Sequence, residues 1–128
     1  MKNYVILLAT DDSAVEAVVK TMETSAGCEL MSVKTSREVA SMVMDGALTR
    51  SLGIVDLDLK DGARGLLSTM GGAIPVIAVT RKVSPWLSSM VDHHRIGAAV
   101  VKPVSTERMR AALLRVRQGA ESEVYGES

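Results

Sequence analysis

Phenylalanine is absent from the chain, and aromatic residues of all kinds make up only 2% of it. Modules that bind single-stranded nucleic acid stack bases on aromatic platforms, so this scarcity argues against that class of function. One cysteine, Cys28, is present. It has no partner for an internal disulfide and reads as a small buried hydrophobe beside the second strand. Net charge is also lacking: fifteen basic and fifteen acidic residues cancel, leaving no overall field to attract a phosphate backbone or an anionic membrane. No apolar run approaches the ~20 residues of a membrane span. The start, Lys2-Asn3-Tyr4 followed by a strand-length apolar run, has no leader-like hydrophobic region or cleavage site, so a cytoplasmic location is expected. Without aromatics, Val, Leu, Ile, Ala and Met must fill the core. Apolar residues amount to 47% of the 128 positions, sufficient for one self-standing domain.

The organising stretch is Leu52-Gly-Ile-Val-Asp-Leu-Asp-Leu-Lys-Asp-Gly62. A short apolar run ends in a carboxylate, Asp56, and a turn follows. Runs of this kind read as strands buried on both faces of a parallel sheet. Tyr4–Thr10 gives a first such strand, ending in Asp11-Asp12. Ser13 and Glu16 form a capping box for a helix over 13–26, closed by Gly27. Cys28–Lys34 is a weaker, edge-like strand. Thr35 and Glu38 cap a second helix, which stops near Gly46. After the Asp56 strand comes a short helix over 65–70, ended by Gly71-Gly72. Ile74–Thr80 is the fourth strand, with Pro75 at its first positions, where a missing N–H is tolerated. Ser84-Pro85 opens a fourth helix carrying a half-buried Trp86. Ile96–Val101 is a fifth strand running into Lys102-Pro103, and 105–118 is a fifth helix.

Strands alternating with helices at this spacing predict an α/β fold with a parallel sheet covered on both faces. The specific expectation is a (βα)5 flavodoxin-like doubly wound three-layer sandwich with strand order 2-1-3-4-5. Residues 1–119 would form this domain and 120–128 a polar, frayed tail. Such sheets place functional groups beyond the carboxyl ends of their strands. Asp11, Asp12, Asp56, Thr80 and Lys102 all fall there. Carboxylates gathered this closely need a cation, because two unit charges about 4 Å apart cost on the order of 4 kcal/mol at an effective dielectric of about 20. Clustered oxygens suit Mg²⁺, with Lys102 as a second, fixed positive charge. A carboxylate so surrounded can accept a phosphoryl group, whose oxygens the cations neutralise and the Thr80 hydroxyl can hydrogen-bond.

Asp11-Asp12 after strand one, Val55-Asp56 ending strand three, Thr80 ending strand four and Lys102-Pro103 after strand five resemble the receiver domain of two-component response regulators. The resemblance covers about residues 3–118. It implies that Asp56 accepts phosphate from a histidine kinase or phosphotransfer protein. It implies Mg²⁺ held by Asp12, Asp56 and the backbone carbonyl of Asp58, with Asp11 acting through water. Thr80 and Lys102 would contact the phosphoryl group, and the Lys102-Pro103 bond would be cis. Such a domain is a signalling module rather than an enzyme, catalysing only its own phosphoryl transfer and dephosphorylation. Its output passes by protein contact, through the helix 4–strand 5–helix 5 face, with no direct nucleic-acid or membrane binding. A second copy of the chain is a further candidate partner.

Several residues depart from the family pattern. Lys60 replaces a usual Pro, Arg81 stands where a small residue is usual, and Ala99 occupies the place of an aromatic ring that normally couples to the threonine. Asp58 and Lys82 flank the phosphoryl site and are expected to pair across its mouth. The competing reading is a degenerate receiver that binds partners without phosphorylation. A haloacid dehalogenase-like phosphatase would use Asp56-x-Asp58, but that motif should open the first strand and leaves Asp11-Asp12 unexplained. His93-His94 reads as surface.

Overall fold

The computed structural model describes residues 4–26, 28–44, 51–59, 63–71, 74–93, 96–117 and 123–125. Six parallel strands form one sheet: β1 (Tyr4–Ala9), β2 (Cys28–Ser32), β3 (Ser51–Asp56), β4 (Val76–Thr80), β5 (Ala98–Val101) and β6 (Glu123–Tyr125). Their order is β2-β1-β3-β4-β5-β6. Five helices alternate with them: α1 (Ser13–Ala26), α2 (Ser36–Met44), α3 (Ala63–Gly71), α4 (Pro85–Asp92) and α5 (Thr106–Arg117). The expected 2-1-3-4-5 arrangement of five strands is therefore present, extended by one.

That extension falls within the tail expected over 120–128, of which residues 123–125 are described. Glu123–Tyr125 pairs in parallel with Ala98–Val100 of β5. A three-residue strand, Glu-Val-Tyr, is too short to show a periodicity that can be read from sequence. What forms it is the unpaired ladder of N–H and C=O groups along β5, which a following segment can satisfy.

Period-two alternation divides each central strand between two apolar clusters. Ile6 and Leu8 of β1, Leu52 and Ile54 of β3, Ile77 and Val79 of β4, and Ala98 and Val100 of β5 pack against Val15, Val19 and Met22 of α1 and Met109, Ala112, Leu113 and Val116 of α5. Leu7, Ala9, Val55, Val76, Ala78 and Ala99 face the other way, against Val39 of α2, Leu66, Leu67 and Met70 of α3, and Leu87 and Val91 of α4. This gives three layers. Burying each large aliphatic side chain contributes about 1.5–3 kcal/mol. At Gly53 the layers approach so closely that a Cβ would collide with the Met70 Sδ, so a side chain there would require the Met70 thioether to move.

The structure differs from the sequence reading in two instructive places. Ile74 and Pro75 precede β4 rather than belonging to it: the Ile74 N–H closes the α3 end on Met70 (2.8 Å), while the Pro75 carbonyl accepts from Gly53 (2.8 Å). At α1 the cap is Asp12, not Ser13. Its Oδ1 accepts the Ala14 N–H at 2.9 Å and its carbonyl accepts the Glu16 N–H at 3.1 Å, leaving Glu16 to pair with Lys20. The caps at Ser84, which accepts from Leu87 at 3.1 Å, and Thr35, which accepts from Glu38 at 3.2 Å, stand as read. Gly27, Gly46, Gly72, Lys60, Asp61, Gly62, His94 and residues 118–122 and 126–128 lie outside the described residues.

Candidate functional site

The carboxyl edge of the sheet collects four charged side chains. β3 delivers Asp56 on the same face as Leu52 and Ile54, and β5 runs through Ala98 and Val100 into Lys102. Asp12 arrives as the cap of α1, and Asp58 lies in the turn after β3. The Lys102 ammonium sits at their focus, 3.0 Å from Asp12 Oδ2, 3.0 Å from Asp56 Oδ2 and 3.1 Å from Asp58 Oδ2. Asp56 is entirely buried. Its Oδ1 accepts the Asp58 N–H at 2.9 Å, and its Oδ2 accepts from both Lys102 at 3.0 Å and Thr10 Oγ1 at 2.7 Å.

Burial pulls the Lys102 pKa down, but the hydrogen bonds to Asp12, Asp56 and Asp58 outweigh it and hold the ammonium above the ordinary lysine value. Asp12 moves the other way. Its hydrogen bond to Lys102, and then its cap bond to Ala14, keep its carboxyl below the usual aspartate value.

The sequence-derived residues therefore divide. Asp12, Asp56, Asp58 and Lys102 come together, and the Lys102-Pro103 bond is cis. Asp11 is exposed and stands outside this network of four. Thr80 ends β4, buried, yet its hydroxyl donates to the Lys82 carbonyl at 3.0 Å and accepts the Lys82 N–H at 3.3 Å rather than meeting Asp56. Alternation explains this: Thr80 shares the face of Val76 and Ala78, whereas Asp56 shares that of Ile54. The expected Asp58–Lys82 pair is replaced. Asp58 instead accepts the Arg81 N–H at 3.1 Å, with the Arg81 Nε 4.0 Å away. Lys102, already fixed at the focus, is the nearer cation. His93 is exposed and bonded to Ser89 of its own helix, and Trp86 is half-buried beneath Arg64, whose guanidinium lies 4.6 Å from the ring centroid.

Thr10 joins the cluster although it precedes the acidic pair and carries no charge to mark it. The signal was available, however. Ile6 and Leu8 face the α1/α5 layer, so position 10 continues that face, and the β1–β3 register ending in Ala9 opposite Val55 carries on to Thr10 opposite Asp56.

Among the described residues, no three His, Cys, Asp or Glu side chains are arranged as a metal centre by themselves. The acidic oxygens converge on Lys102 instead. The donor set nonetheless suits Mg²⁺, which asks for only one or two carboxylates and completes its shell with other oxygens. Among the described residues, three carboxylates still outnumber the cations beside them, Lys102 at the focus and Arg81 at 4.0 Å from Asp58. A cavity of about 370 Å³ opens beside it, lined by Asp12, Ala14, Val15, Arg81, Lys102, Pro103 and Val104.

No protein-family model and no curated protein matches the chain in sequence. Solved structures do match in shape. A CheY-like response regulator receiver domain from Methanospirillum hungatei superposes with a TM-score of 0.72 at 21% identity, over 91% of this chain and 94% of that one. The non-phosphorylated HemR receiver domain from Leptospira biflexa gives 0.71 at 20%, over 90% and 94%. The signal receiver domain of a LuxO repressor protein from Vibrio parahaemolyticus gives 0.70 at 19%, over 89% and 90%. With strand order, helix layers and chain length all in agreement, the fold of this chain is that of the response regulator receiver domain.

Proposed function

We propose that the chain is a phosphoacceptor receiver module in which Asp56 takes a phosphoryl group from a histidine kinase or phosphotransfer protein. The observation that carries this reading is the single ammonium within 3.1 Å of three carboxylates, one of them the wholly buried Asp56. A structural ion pair needs one acid per base. An excess of acids around one fixed cation is the resting form of a site built to take more positive charge and a phosphoryl group.

Asp12 and Asp56, with the Asp58 backbone carbonyl, would hold Mg²⁺; when bound it supplies charge against the phosphoryl oxygens. The chain's own residues do the rest. Lys102, held protonated by its acids, can transfer its hydrogen bonds from carboxylate to phosphoryl oxygens. Thr80, whose hydroxyl is satisfied within its own loop, can exchange the Lys82 carbonyl for a phosphoryl oxygen. Arg81 lines the cavity through which a donor would approach and meets it with a second cation.

Output would pass by protein contact. Ala99 is fully buried between β4 and α4 neighbours, so the strand-five position holds a methyl group and no ring that could rotate. The outer edge of β5 is taken by β6. Partner contacts would therefore fall on the α4 and α5 surfaces, where Leu114 is exposed, rather than on the edge of β5.

Intact mass after incubation with acetyl phosphate tests the reading. One added phosphoryl group, requiring Mg²⁺ and lost in Asp56→Asn, is the expected outcome. A folded chain that takes up none would overturn it and favour a module that binds partners without phosphorylation.

A further inference from the structure

We propose that Thr10 is a positioning residue of the acid cluster, whose hydroxyl holds Asp56 as a carboxylate and thereby opposes its conversion to an acyl phosphate. The second half of this proposal rests on the phosphoacceptor reading above; the first half does not.

The hydroxyl has little choice of direction. Its oxygen accepts the Asp12 backbone N–H at 3.0 Å, so its proton is free to go to Asp56 Oδ2, 2.7 Å away. The result is a relay in which the Asp12 amide polarises the Thr10 hydroxyl, and that hydroxyl donates to the carboxylate. It joins residues 46 positions apart and fastens the β1–α1 turn to the end of β3. Oδ2 now accepts two donors, Thr10 and Lys102, while Oδ1 accepts one, the Asp58 amide.

The chemistry gives this bond a direction. When an acyl phosphate such as acetyl phosphate reacts, an Asp56 oxygen forms a bond to phosphorus as the acetate–phosphorus bond breaks, and acetate leaves with the electron pair. Asp56 thereby becomes a mixed anhydride. Whichever oxygen reacts, Oδ2 loses its share of negative charge and becomes either a carbonyl or a bridging oxygen. Hydrogen bonds to charged acceptors are roughly twice as strong as those to neutral ones. Lys102 is compensated, because it gains the phosphoryl oxygens. Thr10 is not, because the Asp12 amide fixes its direction. Its bond therefore favours the unphosphorylated side, slowing uptake and speeding loss, since hydrolysis releases the carboxylate that Thr10 holds best.

Thr10→Val preserves shape and β-branching and removes the donor; Thr10→Ser keeps the donor. With acetyl phosphate and Mg²⁺, intact mass should show Thr10→Val reaching about five- to tenfold higher phosphorylated-to-unphosphorylated ratios than wild type, as expected from the difference between a hydrogen bond to a charged acceptor and one to a neutral acceptor. The adduct should also persist longer after donor removal, and Thr10→Ser should return both to wild-type behaviour. Equal ratios in Thr10→Val and wild type, or Thr10→Ser behaving as Thr10→Val, would overturn the proposal. A second readout needs no phosphorylation: the ¹³C resonance of the Asp56 carboxyl. It should move in Thr10→Val and not in Thr10→Ser. If it does so while no variant takes up phosphate, the positioning half stands and the phosphoacceptor reading fails. If it does not move, the hydrogen bond is not a feature of the protein in solution and the proposal falls entirely.

Discussion

The ends of β1, β3 and β5 differ from the end of β4 in how they settle their polar groups. At the first three, Thr10, Asp56 and Lys102 occupy one face of the sheet and satisfy one another across strands, joined by Asp12 and Asp58. At the fourth, Thr80 lies on the opposite face and satisfies itself within its own loop through Lys82. The first group is held together by charge and long-range contacts; the second could be rearranged without disturbing them. The proposed phosphoacceptor role would use both, a fixed cluster to accept the phosphoryl group and a separate hydroxyl for that group to recruit.

The largest test of this difference removes the shared cation. Lys102→Met leaves three acids together, one fully buried, and should cost about 3–5 kcal/mol in urea denaturation at neutral pH, because breaking a buried pair strands an uncompensated charge. The wild type has two pH flanks. The Lys102 pKa is raised by folding, so its contribution is whole below the unfolded value of 10.5 and is lost as pH rises through the folded one. The Asp12 pKa is lowered, so its contribution is present above 3.8 and is lost as pH falls through its folded value. Lys102→Met should abolish the alkaline flank and weaken the acid one. Stability insensitive to pH in both ranges would show that the cluster is not held by charge.

Thr80→Val should cost only about 0.5–1.5 kcal/mol, the net worth of an ordinary hydrogen bond, and should keep both pH flanks. If it erased either, the two regions would be one network. Smallest of all, Arg64→Ala should remove about 0.5–1 kcal/mol from the exposed stacking on Trp86. It too should leave the pH profile intact; Trp86 fluorescence, from the only tryptophan, reports the change directly.

Much of this arrangement was legible in the residues. Near-continuous apolar strands with polar ends located the sheet, its order and three members of the cluster, Asp12, Asp56 and Lys102, because burial on both faces and placement at strand termini leave strong one-dimensional signals, whereas Asp58 was marked only by the family resemblance. Thr10 escaped because its signal is two-dimensional, requiring alternation and register together. The failure of Asp58 and Lys82 to pair had a different origin: like spacing after two strands ignores which cation a third strand brings nearer. The inward-facing cap at Asp12 was hidden by Ser13, an equally good capping residue one position later. β6 was hidden by brevity, since three residues cannot declare a period.

Locating the phosphoryl group tests the central claim most directly. After acetyl phosphate and Mg²⁺, borohydride reduction converts an aspartyl phosphate to homoserine, which peptide mass mapping can place. Homoserine at position 56 alone, and none without Mg²⁺, is the predicted result. Homoserine at Asp11, Asp12 or Asp58, or none anywhere in a folded chain, would contradict the assignment of Asp56 as the acceptor.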